Sequence, residues 1–195
     1  MTFLERLQDW DRHITLAFNQ LSSPVSDWIW MLFSNREVWF VLYAVIAVML
    51  VVRLGWKRGL VAIACIALTI VVCDQGGNFV KSAVGRLRPC WDSWMVQNGL
   101  NMLEGRGDYY GFYSAHAANA MGFAAGSTGC FRWNGGKCRG YGIGIFIWAL
   151  LVGLSRVFVG RHFFGDVTVG FFVGIVFGFL FARLGGMLCS KLKIR

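Results

Sequence analysis

Three short polar clusters in this 195-residue sequence hold side chains that can do chemistry on an oxygen-rich anion. The last of them, Ser155 to Asp166, crowds Arg156, Arg161, His162 and Asp166 between two nearly uncharged apolar runs. If the chain is helical from Phe163 onward, His162 and Asp166 lie four apart on one face, so the carboxylate can accept from one imidazole nitrogen. The other nitrogen is then free as a base or nucleophile, with its tautomer fixed. Arg156 adds a forked guanidinium suited to a phosphate. A second histidine, His116, follows Tyr113-Ser114-Ala115 at the head of another apolar run, and Lys81 and Arg88-Pro89 close the run before that.

Taken alone, a cation or histidine at the end of an apolar run is an interfacial anchor. Together Lys81, Arg88 and Arg156 with two histidines and one carboxylate make a set in which one histidine can attack while the other protonates a leaving group. That is phosphoryl-transfer chemistry. Lys81, Arg88 and Arg156 would repel a divalent cation, so a metal site is disfavoured.

The elements that must position these residues are membrane helices. Hydrophobic residues make up 56% of the chain and charged residues 15%, too apolar for a soluble domain of this length. The formal charge of +9 comes from basic residues scattered in short loops, which argues against nucleic acid and for a bilayer and an anionic substrate. The six cysteines show neither a disulfide framework nor metal-ligand spacing and read as small apolar residues. Glu5, Arg6, Asp9, Asp11 and Arg12 interrupt the first twenty residues, so no cleavable signal peptide is expected there.

The expected fold is an all-α polytopic membrane helix bundle with about five transmembrane helices plus an N-terminal amphipathic interfacial helix. Phe3, Leu4, Leu7, Trp10, Ile14, Phe18 and Leu21 recur at helical steps with charges between them, which predicts a helix lying on the membrane. A short second segment from Val25 to Phe33 follows Pro24 and cannot span. Crossings are expected at about 38–52, 60–79, 115–131, 141–154 and 163–181. The organisation is one catalytic domain over 1–195, with interfacial helices in 1–36, the bundle in 37–184 and a basic tail in 185–195. Asp74, Asn78, Lys81, Gly85 and Arg88 draw a polar stripe that must face protein or water.

Loop charge orients the bundle. Arg53, Lys57 and Arg58, then Arg132, Lys137 and Arg139, then Arg183, Lys191, Lys193 and Arg195 fall on one side, expected to be cytoplasmic. The loop 86–113 and the turn 156–162 then share the outer face with Lys81, Arg88, Ser114 and His116.

These three clusters resemble the signature of the type 2 phosphatidic acid phosphatase (PAP2) superfamily: Lys81-x6-Arg88-Pro89, Tyr113-Ser114-Ala115-His116, and Ser155-Arg156-x5-His162-x3-Asp166. The family usually has Pro and Gly where this chain has Tyr113 and Ala115, and residues 1–36 lack the first crossing of its six-span members. The resemblance implies a metal-independent lipid phosphatase without a cofactor. His162 would form a phosphohistidine, Asp166 orient it, His116 protonate the leaving group, and Lys81, Arg88, Ser114 and Arg156 hold the phosphoryl oxygens. Undecaprenyl diphosphate, a lipid A phosphate, phosphatidylglycerol phosphate and phosphatidic acid are the substrates it allows, at the outer leaflet of a bacterial cytoplasmic membrane. The alternative is an anionic-lipid binding or transport protein without turnover; the His162/Asp166 pair and His116 favour the enzyme, since binding needs cations only.

Overall fold

The computed structural model describes residues 2–136 and 138–194; Lys137 and Arg195, counted above in the basic loop and tail, lie outside the described residues. The fold is all-α. One isolated bridge, Leu87 with Tyr110, is the only extended pairing among the described residues.

Helix α1 (Phe3–Asn19) starts on a capping box between Thr2 and Glu5. It is amphipathic as its spacing predicts, with Phe3, Leu4, Leu7 and Trp10 exposed. Its polar edge meets the protein instead of water: Thr15 and Asn19 are fully buried and Asp11 pairs inside the bundle. Helix α2 (Pro24–Ser34) begins with Ser23 as cap and proline in its first turn, the position where a missing N–H costs nothing. It packs against α7 (Arg139–Phe158) and spans nothing.

The long helices are α3 (Phe40–Leu54, entered through a 3-10 turn at Glu37–Trp39), α4 (Trp56–Val84), α7 and α8 (Phe164–Lys191), and the short α5 (Ser93–Gln97) lies in the loop that follows α4. With the turn before α3, these four are long and apolar enough to cross a membrane. Helix α6 (Ala115–Phe131), with 17 residues, sits at the lower length limit for a crossing and is buried along most of its course. Helices α4 and α8 run past the expected ends at 79 and 181. Backbone hydrogen bonding continues into the interface, where Lys81 and Lys191 can keep their ammonium groups wet.

Helix α6 is the axis of the bundle, wedged between α4, α7 and α8. Gly170, Gly174 and Gly178 of α8 repeat every four residues against the α6 backbone. A Cβ at Gly170 would lie 2.6 Å from the Ser114 carbonyl oxygen, and one at Gly178 2.6 Å from that of Gly122. Small residues therefore set the α6–α8 spacing, and backbone contact replaces the hydrophobic drive that lipid does not supply. This fixes the head of α6, with Ser114 and His116, beside the head of α8.

Candidate active site

The turn between α7 and α8 is built by the backbone of its own residues. Arg161 and His162 both donate their N–H groups to the Arg156 carbonyl, at 2.9 and 3.0 Å. Gly160 has φ 76°, and a Cβ there would sit 2.5 Å from the Asn101 carbonyl oxygen, so this position needs glycine on two counts. Asp166 in the first turn of α8 accepts from the Phe163 N–H at 3.1 Å, and its own carbonyl accepts from Ser114 N–H at 3.0 Å. One residue thus ties the histidine turn to the start of α6.

His162 lies between a cation and a carboxylate. Its Nε2 is 3.2 Å from Arg88 Nη1, and its Nδ1 is 3.5 Å from Asp166 Oδ2, an ion-pair distance slightly too long for a hydrogen bond. A guanidinium can only donate, so Nε2 is the acceptor and the imidazole proton belongs on Nδ1, facing Asp166. His162 is 2% exposed and Asp166 0%. Burial, and then the charges of Arg88, Arg156, Lys81 and Arg161, push the His162 pKa well below the usual imidazole range. The ring stays neutral at physiological pH with its Nε2 lone pair available, as a nucleophile requires.

Arg156, buried in the last turn of α7, holds Glu104 of the long loop through Nη1, at 3.1 Å from each carboxylate oxygen, and also meets the Ser34 hydroxyl. Arg161 Nε is 3.2 Å from the same carboxylate. Burial works to raise the Glu104 pKa, but Arg156, the Ser34 hydroxyl and Arg161 outweigh it and leave the carboxyl below its usual value. Arg156 Nε and Arg161 Nη1 are buried without a protein partner, two donors left over for an anion. These groups, with Arg36 and His116, line a cavity of about 640 Å³.

His116 Nε2 accepts from Arg36 Nε at 3.0 Å, and the ring lies within electrostatic reach of Arg156, His162 and Arg88. Ser114 is the buried N-cap of α6 and accepts weakly from Ala117 N–H at 3.4 Å. Lys81, near the end of α4, has Asn78 Oδ1 at 3.4 Å and feels the charges of Arg88 and Asp108. The structure therefore brings His162, Asp166 and Arg88 into direct contact and sets His116, Arg156 and Lys81 in the surrounding field. Neither Ser114 nor Lys81 hydrogen-bonds to a histidine among the described residues.

Tyr113 turns away from the site to donate to the Cys73 carbonyl at 2.9 Å, lying over Gly76 and Gly77 of α4. The arm 85–111 carries Arg88: Arg88 N–H donates to Tyr109 O at 2.9 Å, and Gly111 N–H to Arg86 O at 2.9 Å. Gly111 lets that arm cross the histidine, since a Cβ would come 3.1 Å from Asp166 Oδ2 and from Arg88 Cγ. Sequence reasoning singled out neither Gly111 nor Arg36. Arg86 and Glu104 lie in the loop 86–113, where carboxylates among arginines are a signal that could have marked them.

Residues 58–188 match the model of the PAP2 superfamily. The chain is 34% identical to the lipid A 4'-phosphatase of Bacteroides thetaiotaomicron over 192 residues, 97% of this chain and 83% of that protein. It is 26% identical to the lipid A 4'-phosphatase of Porphyromonas gingivalis, covering 92% of this chain and 77% of the relative. Its fold is similar to the PAP2-type phosphatidylglycerolphosphate phosphatase of Bacillus subtilis, with TM-score 0.71 and 19% identity over 97% and 88% of the two chains. LpxE of Aquifex aeolicus gives TM-score 0.64 and 21% identity over 88% and 93%.

Proposed function

The chain belongs to the PAP2 superfamily, and we propose that this multi-pass membrane lipid phosphatase removes a phosphate from lipid A through a phosphohistidine at His162. The observation that carries the chemistry is His162 itself, a buried imidazole whose Nε2 faces the Arg88 guanidinium while Nδ1 faces Asp166. The choice of lipid A rests on the two lipid A 4'-phosphatases to which the chain is similar, one of them over nearly the whole chain.

In the first step the Nε2 lone pair attacks phosphorus and the P–O bond to the sugar breaks. That oxygen leaves with the bonding pair and takes a proton from His116, which acquires it only once the phosphate's negative charge has entered the cationic surroundings of the ring. Arg36 would have to release His116 Nε2 for this, and the arriving phosphate is the natural acceptor for its guanidinium. Arg88, Arg156 and Lys81, with the Ser114 hydroxyl, would neutralise the equatorial oxygens as charge spreads over them. In the second step His116 removes a proton from water, the water oxygen bonds to phosphorus and the P–Nε2 bond breaks. Ester and water have become alcohol and phosphate, and both histidines are restored.

The site opens at the end of the bundle opposite the basic loops, where Arg58 meets Trp133 and Asn134, and Arg183 lies nearby. With the basic end in the cytoplasm, as the positive-inside bias directs, the site works at the outer leaflet of a bacterial cytoplasmic membrane. The test is phosphate release by the purified protein from lipid A, undecaprenyl diphosphate, phosphatidylglycerol phosphate and phosphatidic acid, with His162→Ala alongside. Lipid A is expected to give the highest kcat/KM, and His162→Ala to lose on the order of a thousandfold. Preference for another lipid would replace the substrate; wild-type turnover by His162→Ala would remove the nucleophile. Binding of lipid A with no phosphate released would point to the binding protein.

A further inference from the structure

The structure carries a buried ion chain behind the reacting histidine that begins in the N-terminal amphipathic helix. Arg86 Nη1 is 2.7 Å from Asp166 Oδ1, and Arg86 Nη2 is 2.6 Å from Asp11 Oδ2. The other Asp11 oxygen accepts from the Gly165 N–H at 2.8 Å, in the first turn of α8. The Arg86 guanidinium also lies over the Phe163 ring, 4.2 Å from its centroid. Asp11 and Arg86 are 12% and 19% exposed, so bulk water screens the chain little.

We infer that Arg86, aimed by Asp11, is a positioning residue of the phosphatase reaction, holding Asp166 ionised and turned so that His162 presents Nε2 to phosphorus. The inference rests on His162 acting as the nucleophile. A carboxylate removed from water keeps its charge only if cations and donors face it. Asp166 Oδ1 has Arg86, and Oδ2 has the Phe163 N–H with His162 Nδ1 beyond it. When Nε2 bonds to phosphorus, the ring gains positive charge and its Nδ1–H turns into a stronger donor to Asp166. An Asp166 that had taken up a proton or rotated would forfeit that stabilisation. Asp11 in turn keeps Arg86 from swinging into the phosphate field of Arg88. The small residue at Gly165 makes this possible, since a Cβ there would lie 2.7 Å from Asp11 Oδ2.

Thr15 separates this role from mere docking of α1. Its hydroxyl accepts from Phe164 N–H at 2.9 Å on the same α1–α8 joint, yet it touches neither Arg86 nor Asp166 among the described contacts. Arg86→Gln, Arg86→Lys, Asp11→Asn and Thr15→Val are made in the full chain, with kcat and KM on the best lipid and the inhibition constant of inorganic phosphate measured in detergent. Arg86→Gln is expected to lower kcat by about 10- to 100-fold, the range for a partner that orients a reacting ligand, with KM and phosphate inhibition within about twofold. Asp11→Asn moves the same way by less, Arg86→Lys recovers part of the loss, and Thr15→Val lowers thermal stability with kcat unchanged. In an Asp166→Asn background, Arg86→Gln should cost far less than in the wild type, because the two act as one unit. Equal losses in Arg86→Gln and Thr15→Val, or full additivity with Asp166→Asn, would reduce Arg86 to a structural strut and overturn the inference. Wild-type turnover in His162→Ala would instead remove the nucleophile on which it rests.

Discussion

Glu104 reaches Arg156 with both carboxylate oxygens, and a phosphate bound at Arg156 would need the same donors. One anion must yield to the other or share the guanidinium with it. Glu104→Gln keeps the shape and removes the charge, so inhibition by orthovanadate, a mimic of the five-coordinate transition state, should tighten on the order of tenfold, about 1.4 kcal/mol. Unchanged inhibition would show that Glu104 does not compete, and weaker inhibition that it orients Arg156. The sequence marked Arg156, because arginine beside histidine at a span boundary is unusual company. It could not mark Glu104, because nothing in the polar loop 86–113 says which carboxylate pairs with an arginine 52 positions further along the chain. The same limit hid Arg36 on His116, a contact between residues 80 apart.

At the scale of elements, the helical period of residues 3–19 was legible and the partner of its polar face was not. Asp11, Thr15 and Asn19 recur every four residues, which reads as a wet stripe. In the fold they cap the first turn of α8 and the last carbonyls of α7, including Val157 O and Phe158 O. A polar edge can pair with backbone ends as readily as with water, and composition does not distinguish the two. The α6–α8 seam is more transparent, since glycine at steps of four has little use except close approach. Gly178→Val should cost about 1–3 kcal/mol or more through the clash with the Gly122 carbonyl, read as a lower melting temperature in detergent. Gly144→Ala, on an open face of α7 where a Cβ meets nothing within 4 Å, should be neutral or stabilising by about 0.5–1 kcal/mol. Equal destabilisation by both would deny that backbone contact sets the seam.

Across the whole molecule the acidic charges are sorted by end: Asp11, Asp92, Glu104, Asp108 and Asp166 lie around the site, paired with its own arginines, while Arg53, Arg58, Arg132, Arg139, Arg183 and Lys191 gather at the end away from His116 and His162. The number of crossings between them puts the three distant clusters at one end, and loop charge only assigns that end a side of the membrane. In a cysteine-free background, a cysteine at Asn98 should react with an impermeant maleimide in intact cells, and one at Asn134 only after permeabilisation. The reverse pattern would turn the site toward the cytoplasm and take outer-leaflet lipids out of its reach.

If His162 carries the phosphoryl group, it can be trapped there. The purified protein is mixed with lipid A labelled in its phosphate, quenched in alkali within one turnover, digested, and its peptides located by mass spectrometry. An alkali-stable, acid-labile phosphate is expected on the peptide bearing His162 and absent from His162→Ala; in His116→Ala, which lacks the acid of the first step and the base of the second, it should form slowly and also decay slowly. Label that persists on another residue in His162→Ala, or full turnover by the wild type with no phosphoenzyme at any quench time, would contradict a phosphohistidine at His162.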